Sequence, residues 1–393
     1  MKPSGHDHKH SIAIPMQIKI LDNLGSIDRM AWNHLLSDNN PFLKYEFLSA
    51  LECNHCVNEE CGWQPQHIVI YDDNGKLVAA SPLYLKYHSY GEFVFDWAWA
   101  DAYQRNQLAY YPKLVSAIPF TPITGPRLLT APGVNAEEMG RLLIETTINL
   151  AREHNYSSAH WLFPTTSQKN FMQHQGLITR LSCQYHWQNR NYENFDHFLS
   201  HFSSRKRKNI LKERRQVGAA GVNFRLLNGN EINSEEWQIF YKFYCEIYKR
   251  KWGSPSLSLA FFEEISSTLP EQVLLVLAYK DNKCIGAALN LRSDNILYGR
   301  HWGCSEQLPG LHFETCYYQG LEYCIKNGLE RFEPGAQGEH KIARGFLPTK
   351  TWSAHWIAEP QFRQAIEQFT RNEAIEIEKM MLQLENHSPF RQQ

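Results

Sequence analysis

The sequence lacks three features that would assign it to a common class of protein. Its longest obvious apolar run, residues 273–279, is far shorter than the roughly 18–20 residues of a membrane-spanning helix. Its net charge is only −1, so no overall field attracts it to nucleic acid or to a membrane. Its first fifteen residues lack the apolar core of a secretory signal. We therefore expect a cytoplasmic protein without a transmembrane segment.

Several familiar functional motifs are also missing. The chain has no P-loop, no dinucleotide-binding glycine fingerprint and no HExxH motif. Its nine cysteines are scattered, which indicates reduced and mostly buried thiols, and no Cys–His arrangement predicts a cysteine hydrolase. Cys53, Cys56 and Cys61 form a cluster, but its spacing is not that of a zinc finger. We expect a polar loop that carries cysteines and no metal site, with a structural zinc as the less favoured alternative.

The chain does contain two similar successions of elements. At 393 residues, with 43% hydrophobic residues, it is long enough for two domains. Each half follows the order helix, strand–turn–strand–strand, loop, helix, strand, which predicts two copies of one α/β unit. The third strand of the first copy is expected at residues 91–97. The expected divisions are a flexible tail (1–15), an N-terminal lobe (16–190), a C-terminal lobe (191–358) and a C-terminal helix with its tail (359–393).

Residues 296–348 are the most informative stretch. A strand over residues 296–302 is followed by a Gly/Pro loop, by a helix that ends near Gly328, and by a short strand over residues 329–333. The apolar face of that helix consists of Phe313, Cys316, Tyr317, Gly320, Leu321 and Cys324. A strand, a loop, and a helix whose N-terminus faces an anion suit an acyl-carrier or phosphate-bearing ligand.

Eight stretches of the chain together resemble one family. They are NPFLKYEFLSALE (40–52), GWQPQHI (62–68), PLYLKYHSYGEFVFDWAWADAY (82–103), YYPKLVSAIPFTPITGPRLL (110–129), SSRKRKNILKERR (203–215), RKWG (250–253), GRHWG (299–303) and FEPGAQGEHKIARGFLP (332–348). With the order of elements, they resemble the FemAB-like family of predicted N-acyltransferases, within the acyl-CoA N-acyltransferase (GNAT-like) superfamily. The family is described as peptidoglycan biosynthesis or recognition proteins. The resemblance implies an α/β (α+β) fold of tandem GNAT-like lobes with mixed sheets flanked by helices.

The resemblance also implies a reaction, the transfer of an acyl or aminoacyl group from an activated donor to an amine. The donor would be acyl-CoA or another acyl thioester, bound as a co-substrate, or aminoacyl-tRNA, which the wider Fem group uses for peptidoglycan cross-bridges. No tightly bound cofactor is expected. The amine would belong to a small molecule or to a lipid-linked cell-wall precursor. The alternative is a non-catalytic binding module of the same fold that recognises RNA or a peptidoglycan precursor.

In GNAT-type folds, acyl transfer takes place where two neighbouring strands diverge, and the helix that follows binds a pyrophosphate at its N-terminus. The resemblance puts residues 302–304 at this divergence and residues 306–310 in the loop that opens the helix. The glycine-rich pyrophosphate signature of GNAT enzymes is missing from that loop, GCSEQLPG. This departure favours a bulkier donor than acetyl-CoA.

The best candidates for catalysis lie in the loop over residues 334–344. Two glycines there allow the backbone to approach a ligand, and four charged or titratable side chains are close in sequence. Glu339 or His340 could accept the proton of the amine, and Lys341 could neutralise an oxyanion. Arg344 could hold a phosphate or a carboxylate. The alternative is a solvated loop whose charges pair with one another.

The strand before that helix supplies a further candidate base, His301. Strand alternation predicts that His301 shares a face with Gly299, while Arg300 and Trp302 lie on the other face. A histidine in a strand is more often a hydrogen-bonded core residue than a base, so both interpretations stay open. Arg300 and Trp302 are candidates for ligand contact.

Four residues of the first half, Asp96, Trp97, Trp99 and Asp101, interleave two acids with two aromatic rings. Carboxylates with shifted pKa values would suit substrate binding, particularly of an amine. Alternatively, the tryptophans belong to the core and the aspartates cap loops.

Three more residues are candidates for substrate binding. Thr121 and Arg127, in the rigid segment PFTPITGPR, could line a cleft between the lobes or only shape a turn. Trp252, at the end of an aromatic helix, could stack on a substrate ring or fill the core.

A basic helix is predicted over residues 203–215. Helical spacing aligns Arg205, Lys208, Lys212 and Arg215 on one face, the one local basic patch in a neutral protein. This patch could bind the phosphates of tRNA, of a lipid headgroup or of CoA. The alternative is a solvated helix that pairs with acids of the other lobe.

Overall fold

The computed structural model describes residues 16–250, 253–336 and 338–391. The strands are β1 (Gln17–Leu21), β2 (Trp63–Pro65), β3 (His67–Tyr71), β4 (Leu77–Ser81), β5 (Tyr84–Lys86), β6 (Lys113–Ser116), β7 (Leu129–Thr130), β8 (Ser158–Leu162), β9 (Ile178–Gln188), β10 (Asn223–Asn228), β11 (Val273–Lys280), β12 (Lys283–Arg292), β13 (Ile296–Cys304), β14 (Arg331–Glu333) and β15 (Leu347–Ile357).

The helices are α1 (Arg29–Asn33), α2 (Tyr45–Cys53), α3 (Trp97–Arg105), α4 (Ala136–Glu153), α5 (Thr166–His174), α6 (Phe195–Ser200), α7 (Ser204–Ala219), α8 (Ser234–Arg250), α9 (Leu259–Thr268), α10 (Leu311–Phe313), α11 (Gln319–Lys326) and α12 (Pro360–Glu385). Short 3₁₀ turns cover Pro41–Leu43, Gly229–Glu231 and Glu339–Arg344, and a π-helical turn, Glu314–Tyr318, joins α10 to α11. Among the described residues, no helix has the length and apolar character to cross a bilayer.

Two sheets flanked by helices organise the chain; the small one is antiparallel and the large one is mixed, as the sequence predicted for the fold. A small sheet has the order β1-β3-β4-β7, and a sheet of eleven strands has the order β10-β11-β12-β13-β14-β9-β15-β8-β6-β5-β2. Each half contributes one parallel pair to the large sheet, β6 with β8 and β13 with β14, and a helical segment connects the members of each pair. This repetition is the structural form of the two copies predicted from the element order, and α12 confirms the predicted C-terminal helix.

The large sheet is continuous between the two halves. Strand β15 pairs with β8 through residues 353–357 and with β9 through residues 347–355. The far end of β9 pairs with β14, where Trp187 lies opposite Phe332. The prediction assigned β15 to the C-terminal lobe, and its hydrogen bonds join it to strands of the N-terminal half. The predicted division at residues 190 and 191 stays a prediction, and the predicted tail lies outside the described residues.

The core also extends across both halves. Phe42, near the start of the chain, packs edge-on against Tyr298 of β13, with ring centroids 5.2 Å apart. Phe47 of α2 packs in the same way against Phe261 of α9, at 5.4 Å. These buried aromatic contacts add to area burial and fix the orientation of the halves.

Two predictions about strands are wrong. Residues 91–97 form no strand, because Glu92 and Asp96 turn inward to Lys113 and hold the segment away from the sheet edge. The predicted alternation of β13 is broken by a bulge. Leu289 pairs with His301 and Asn290 with Gly299, which leaves Arg300 as an extra residue. Arg300 and His301 consequently line one cavity instead of opposite faces.

Candidate active site

The candidate active site begins where the parallel strands β13 and β14 separate. The pairing begins with Ile296 opposite Arg331 and ends with Tyr298 opposite Glu333. The backbones are close at this point, because a Cβ on Gly299 would lie 3.1 Å from Cα of Pro334. Gly335 adopts a φ of 93°, a left-handed conformation that favours glycine. The chain then leaves the sheet and forms the turn that contains His340, Lys341 and Arg344.

Lys341 lies at this opening. Its side chain is buried, with the residue only 2% exposed, and Nζ donates a hydrogen bond to the Gly335 carbonyl at 2.7 Å. Burial lowers the pKa of Lys341 to about 8, with a small opposing contribution from the Cys316 thiol. No carboxylate pairs with this ammonium in the described residues, so no acidic side chain among them neutralises its charge directly.

His340 and Arg344 fix this turn to the neighbouring helices. His340 Nε2 forms a hydrogen bond with the Tyr317 hydroxyl at 2.9 Å, and burial, then Lys341 and Arg344, lower the pKa of His340. Arg344 donates to Glu213 Oε1 of α7 at 2.7 Å and lies 3.3 Å from the centroid of the Phe313 ring. Arg344 therefore serves the protein's own contacts. Glu339 is exposed.

The helical segment after β13 forms the other wall. It begins after Gly310, whose φ of 84° turns the chain into α10, and the π-helical turn follows at once. Such turns are frequent at functional sites. His312 lies between Trp302 and Tyr317, at 5.3 Å from each ring. Burial, followed by His340, lowers the pKa of His312 to about 4, so this side chain is neutral at pH 7.

Glu333 occupies the opposite side of the same opening. Its pairing partner Tyr298 faces the core between the halves. Because residues directly opposite in a sheet share a face, Glu333 faces the same way. Burial raises the pKa of Glu333 to about 7 despite Arg331, whose Nε lies 2.9 Å from Oε1 without hydrogen-bond geometry. His186 Nδ1 is 4.0 Å away, and burial lowers its pKa to about 3. Sequence reasoning missed both residues.

Arg300 and Thr121 come together on that face. Arg300 Nη2 donates to the Phe120 carbonyl at 2.5 Å and to Thr121 Oγ1 at 3.2 Å, and burial lowers the pKa of Arg300 to about 10. A cavity of ≈ 10 Å³ beside them is lined by both halves, enough for about one water molecule. His301 packs on Tyr244 at 4.9 Å, and burial lowers its pKa to about 3, which makes it a poor base.

The other candidates of the first half lie elsewhere. Asp96 bonds to Lys113 and to the Tyr110 hydroxyl, and Lys113 outweighs burial and holds the pKa of Asp96 below its usual range. Trp99 packs on the buried His355 at 4.9 Å. Trp97 is exposed, and Asp101 pairs with Arg105 on the surface of α3.

Two further candidates do not reach the opening. Arg127 is fully buried and donates to the carbonyls of Leu162 and Ile123, so it shapes the loop that contains it. Trp252 lies outside the described residues. Within those residues, no group of three His, Cys, Asp or Glu side chains converges on a metal-sized site.

The predicted basic helix is present as α7. Its outward face is exposed and carries Arg205, Lys208, Lys212 and Arg215. The inner face is tied to the helical wall of the site, because Arg214 bonds to Glu314 at 2.9 Å and to Glu322 at 2.8 Å. With the pair of Glu213 and Arg344, these contacts place α7 beside the candidate active site.

Comparison with solved structures supports this fold. The structure is similar to FemX, with a TM-score of 0.52 and 12% identity over 87% of this chain and 98% of that one. It is also similar to a conserved protein of unknown function from Bacteroides thetaiotaomicron, with a TM-score of 0.53 and 9% identity over 87% and 100% of the two chains. A third similar structure is the C-terminal domain of a putative lysylphosphatidylglycerol synthetase from Agrobacterium fabrum. Its TM-score is 0.51, with 9% identity over 86% of this chain and 93% of that one.

Identities this low establish a shared fold and nothing more. No curated protein matches the sequence. The family model described as FemAB-like, peptidoglycan biosynthesis/recognition, matches residues 23–392, which is nearly the whole chain. The chain therefore belongs to the FemAB-like family of peptidoglycan biosynthesis and recognition proteins.

Proposed function

We propose that this protein is an N-acyltransferase that moves an acyl or aminoacyl group from an activated donor to an amine of a cell-wall precursor. One observation carries the proposal. Where β13 and β14 separate, a buried lysine with a pKa of about 8 and a buried glutamate with a pKa of about 7 flank the opening. Acyl transfer to an amine needs a cation for the oxyanion and a base for the amine proton.

The donor is proposed to bind on the helical side of the opening. Lys341, the start of α10 and the basic face of α7 lie on this side. All three favour an anionic ligand such as a phosphate-bearing acyl carrier, since lysine and the first turn of a helical segment both attract anions. The exposed face of α7 extends this attraction beyond the opening, which suits a large donor such as aminoacyl-tRNA.

The amine is proposed to approach from the face that Glu333 shares with Arg300. A carboxyl group with a pKa of about 7 is ionised in half of the molecules at neutral pH, so it accepts a proton without being a strong acid. The cavity on this face has room for about one water molecule, so the halves must separate slightly for a substrate to enter.

In the proposed reaction the amine nitrogen attacks the acyl carbonyl carbon and forms the new C–N bond. The carbonyl electron pair moves to oxygen, where the Lys341 ammonium stabilises the oxyanion. The Glu333 carboxylate removes the proton from the amine. When the intermediate collapses, the bond to the leaving sulfur or ribose oxygen breaks, and the proton held by Glu333 is available to that leaving group.

The test is amide formation by the full chain. Purified protein is incubated with acyl thioesters or aminoacyl-tRNA and with soluble muramyl-peptide amines, and the products are identified by mass spectrometry. Lys341→Met and Glu333→Gln should each lower turnover by about 10²-fold or more. Lys350→Met, at an exposed lysine that pairs with Glu378, is the matched control and should keep turnover.

The alternative, a binding module, predicts a different pattern. No donor would then give an amide, and the Lys341 and Glu333 variants would alter affinity alone. Affinity for RNA would depend mainly on Arg205 and Lys208. Amide formation that survives Lys341→Met and Glu333→Gln unchanged would reject the proposed site while leaving the activity itself established.

A further inference from the structure

The loop over residues 87–97, here named the aromatic loop, has the reverse of the usual polarity. From residue 92 to residue 97 the side chains alternate strictly between buried and exposed. The buried set includes two carboxylates, Glu92 and Asp96. The exposed rings of the loop include Tyr90 (68% exposed), Phe93 (39%), Phe95 (57%) and Trp97 (41%). Proteins normally bury rings and expose carboxylates, so this arrangement requires a separate explanation.

A buried lysine explains why the carboxylates point inward. Lys113, the first residue of β6, donates to Ser89 Oγ and to Glu92 Oε2, both at 2.9 Å, and also to the Asp96 carboxylate. The Tyr110 hydroxyl donates to Asp96 at 2.6 Å. Loss of one partner from such a cluster would leave an uncompensated buried charge, so the cluster fixes the loop strongly.

The backbone of the aromatic loop is held at two more points. Lys86 Nζ donates to the Tyr90 carbonyl at 3.2 Å, and Arg180 of β9 donates to the Phe95 carbonyl at 2.8 Å. Phe93 has a φ of 59°, an unfavourable conformation for a residue with a side chain. The loop is therefore held in a shape that keeps its rings outside the core.

We propose that the aromatic loop binds a lipid membrane by inserting its rings into the interfacial region. Tyr, Trp and Phe prefer that region because one part of the ring is apolar and Tyr and Trp also carry a polar group. Both carboxylates of the loop accept hydrogen bonds from Lys113, so they are not free to bind sugar hydroxyls. Eleven residues are also about half of the 20–30 that each side of a stable protein interface contributes. Insertion of a few rings into lipid needs no larger surface.

The position of the loop agrees with a lipid-linked amine, and this one point rests on the proposed function. Arg180 of strand β9 contacts the aromatic loop, and His186 of the same strand contacts Glu333. Arg180 and His186 are six residues apart along the strand, a distance of about 20 Å. An acceptor whose amine is separated from its lipid by a headgroup and a peptide would reach the active site while its lipid stays in the membrane.

The test is sedimentation of the full chain with vesicles. Phosphatidylglycerol/phosphatidylethanolamine vesicles and phosphatidylcholine vesicles are both used, at low and high salt. The native protein should sediment with both, and added salt should not release it, because ring insertion is not an ionic contact. The double variant Tyr90→Ser/Phe95→Ser should bind at least about tenfold more weakly.

The matched control is Ile375→Ser/Leu382→Ser on α12, where the side chains are 53% and 64% exposed. This control should sediment like the native protein, and both variants should keep the native thermal transition. Failure of the native protein to sediment, equal binding by the loop variant, or release by salt would each overturn the proposal. Tyr90→Ser/Phe95→Ser should still acylate a soluble amine, so loss of vesicle binding and failure of the proposed function are separate results.

Discussion

At the scale of single residues, the molecule places two titratable groups of opposite charge near neutrality at one opening. Burial raises the pKa of Glu333 to about 7 and lowers that of Lys341 to about 8. Among the described residues, no carboxylate pairs with Lys341, and Arg331 contacts Glu333 without hydrogen-bond geometry. Buried groups left in this state are more typical of active sites than of structural ion pairs.

The pH dependence of turnover follows from these two values. Turnover needs Glu333 deprotonated and Lys341 protonated, so kcat/KM should rise as pH passes about 7 and fall as it passes about 8. Glu333→Gln should remove the rise. Lys341→Arg should move the fall to higher pH, because a guanidinium stays protonated. A profile that is flat from pH 6 to pH 9 in the native protein would contradict these assignments.

The sequence predicted some of these residues and could not predict others. Lys341 and His340 were identifiable because glycines and charged side chains coincide in one short segment. Glu333 was not, because its burial depends on Tyr298, His186 and Arg300, which are distant in sequence or displaced by the bulge. Arg127 illustrates the same limit, since only the fold shows that backbone carbonyls occupy its guanidinium.

At the scale of elements, the helical wall of the site depends on close packing against β14. A Cβ on Gly320 of α11 would lie 2.6 Å from the Phe332 ring. The glycine lets the helix approach the strand that ends in Glu333. Four positions of the apolar face predicted for this helix are buried, namely Tyr317, Gly320, Leu321 and Cys324. The π-helical turn interrupts the regular spacing, so Glu314, Thr315 and Tyr318 are buried as well. The strand predicted at residues 91–97 failed because alternation alone does not reveal a sheet partner.

Gly320→Ala should therefore separate α11 from β14. We expect it to lower the free energy of unfolding by about 1–3 kcal/mol, measured by chemical denaturation. Gly218→Ala in α7 is the matched helical control, because no atom of the described residues would lie within 4 Å of its Cβ. That substitution should be neutral or stabilising by up to about 1 kcal/mol. Equal effects of the two changes would argue against the close approach.

The basic face of α7 gives a second prediction at this scale. Replacing Arg205, Lys208, Lys212 and Arg215 with glutamine should weaken binding of unfractionated tRNA and reduce its salt dependence, measured by fluorescence anisotropy. The control replaces four exposed basic residues elsewhere, Lys76, Arg105, Arg141 and Arg152. If both quadruple variants lose the same affinity, the attraction is a matter of net charge and α7 has no special role.

At the scale of the whole molecule, the two halves share one sheet and one core. Ala354 of β15 lies between Trp161 of β8 and Thr179 of β9 and is fully buried. The element order predicted two units correctly. It could not reveal that a strand of the second unit completes the sheet of the first, because strand partners across such a distance leave no local pattern in the sequence.

We expect the protein to unfold in one cooperative transition. Calorimetric and van't Hoff enthalpies should agree, since neither half has a complete sheet alone. Ala354→Asp should lower the midpoint without splitting the transition, because it buries an unpaired charge at the junction. Ala365→Asp, on the exposed surface of α12, should have little effect. Two separated heat-absorption peaks in the native protein would contradict a shared sheet.

The insertion of β15 between β8 and β9 has a consequence for synthesis. Strands β8 and β9 leave the ribosome long before residues 347–357 are translated. Until then the nascent chain carries two strand edges with unpaired backbone groups, and such edges favour aggregation. Conditions that slow translation of the last third of the message should therefore make folding of the nascent protein more dependent on chaperones.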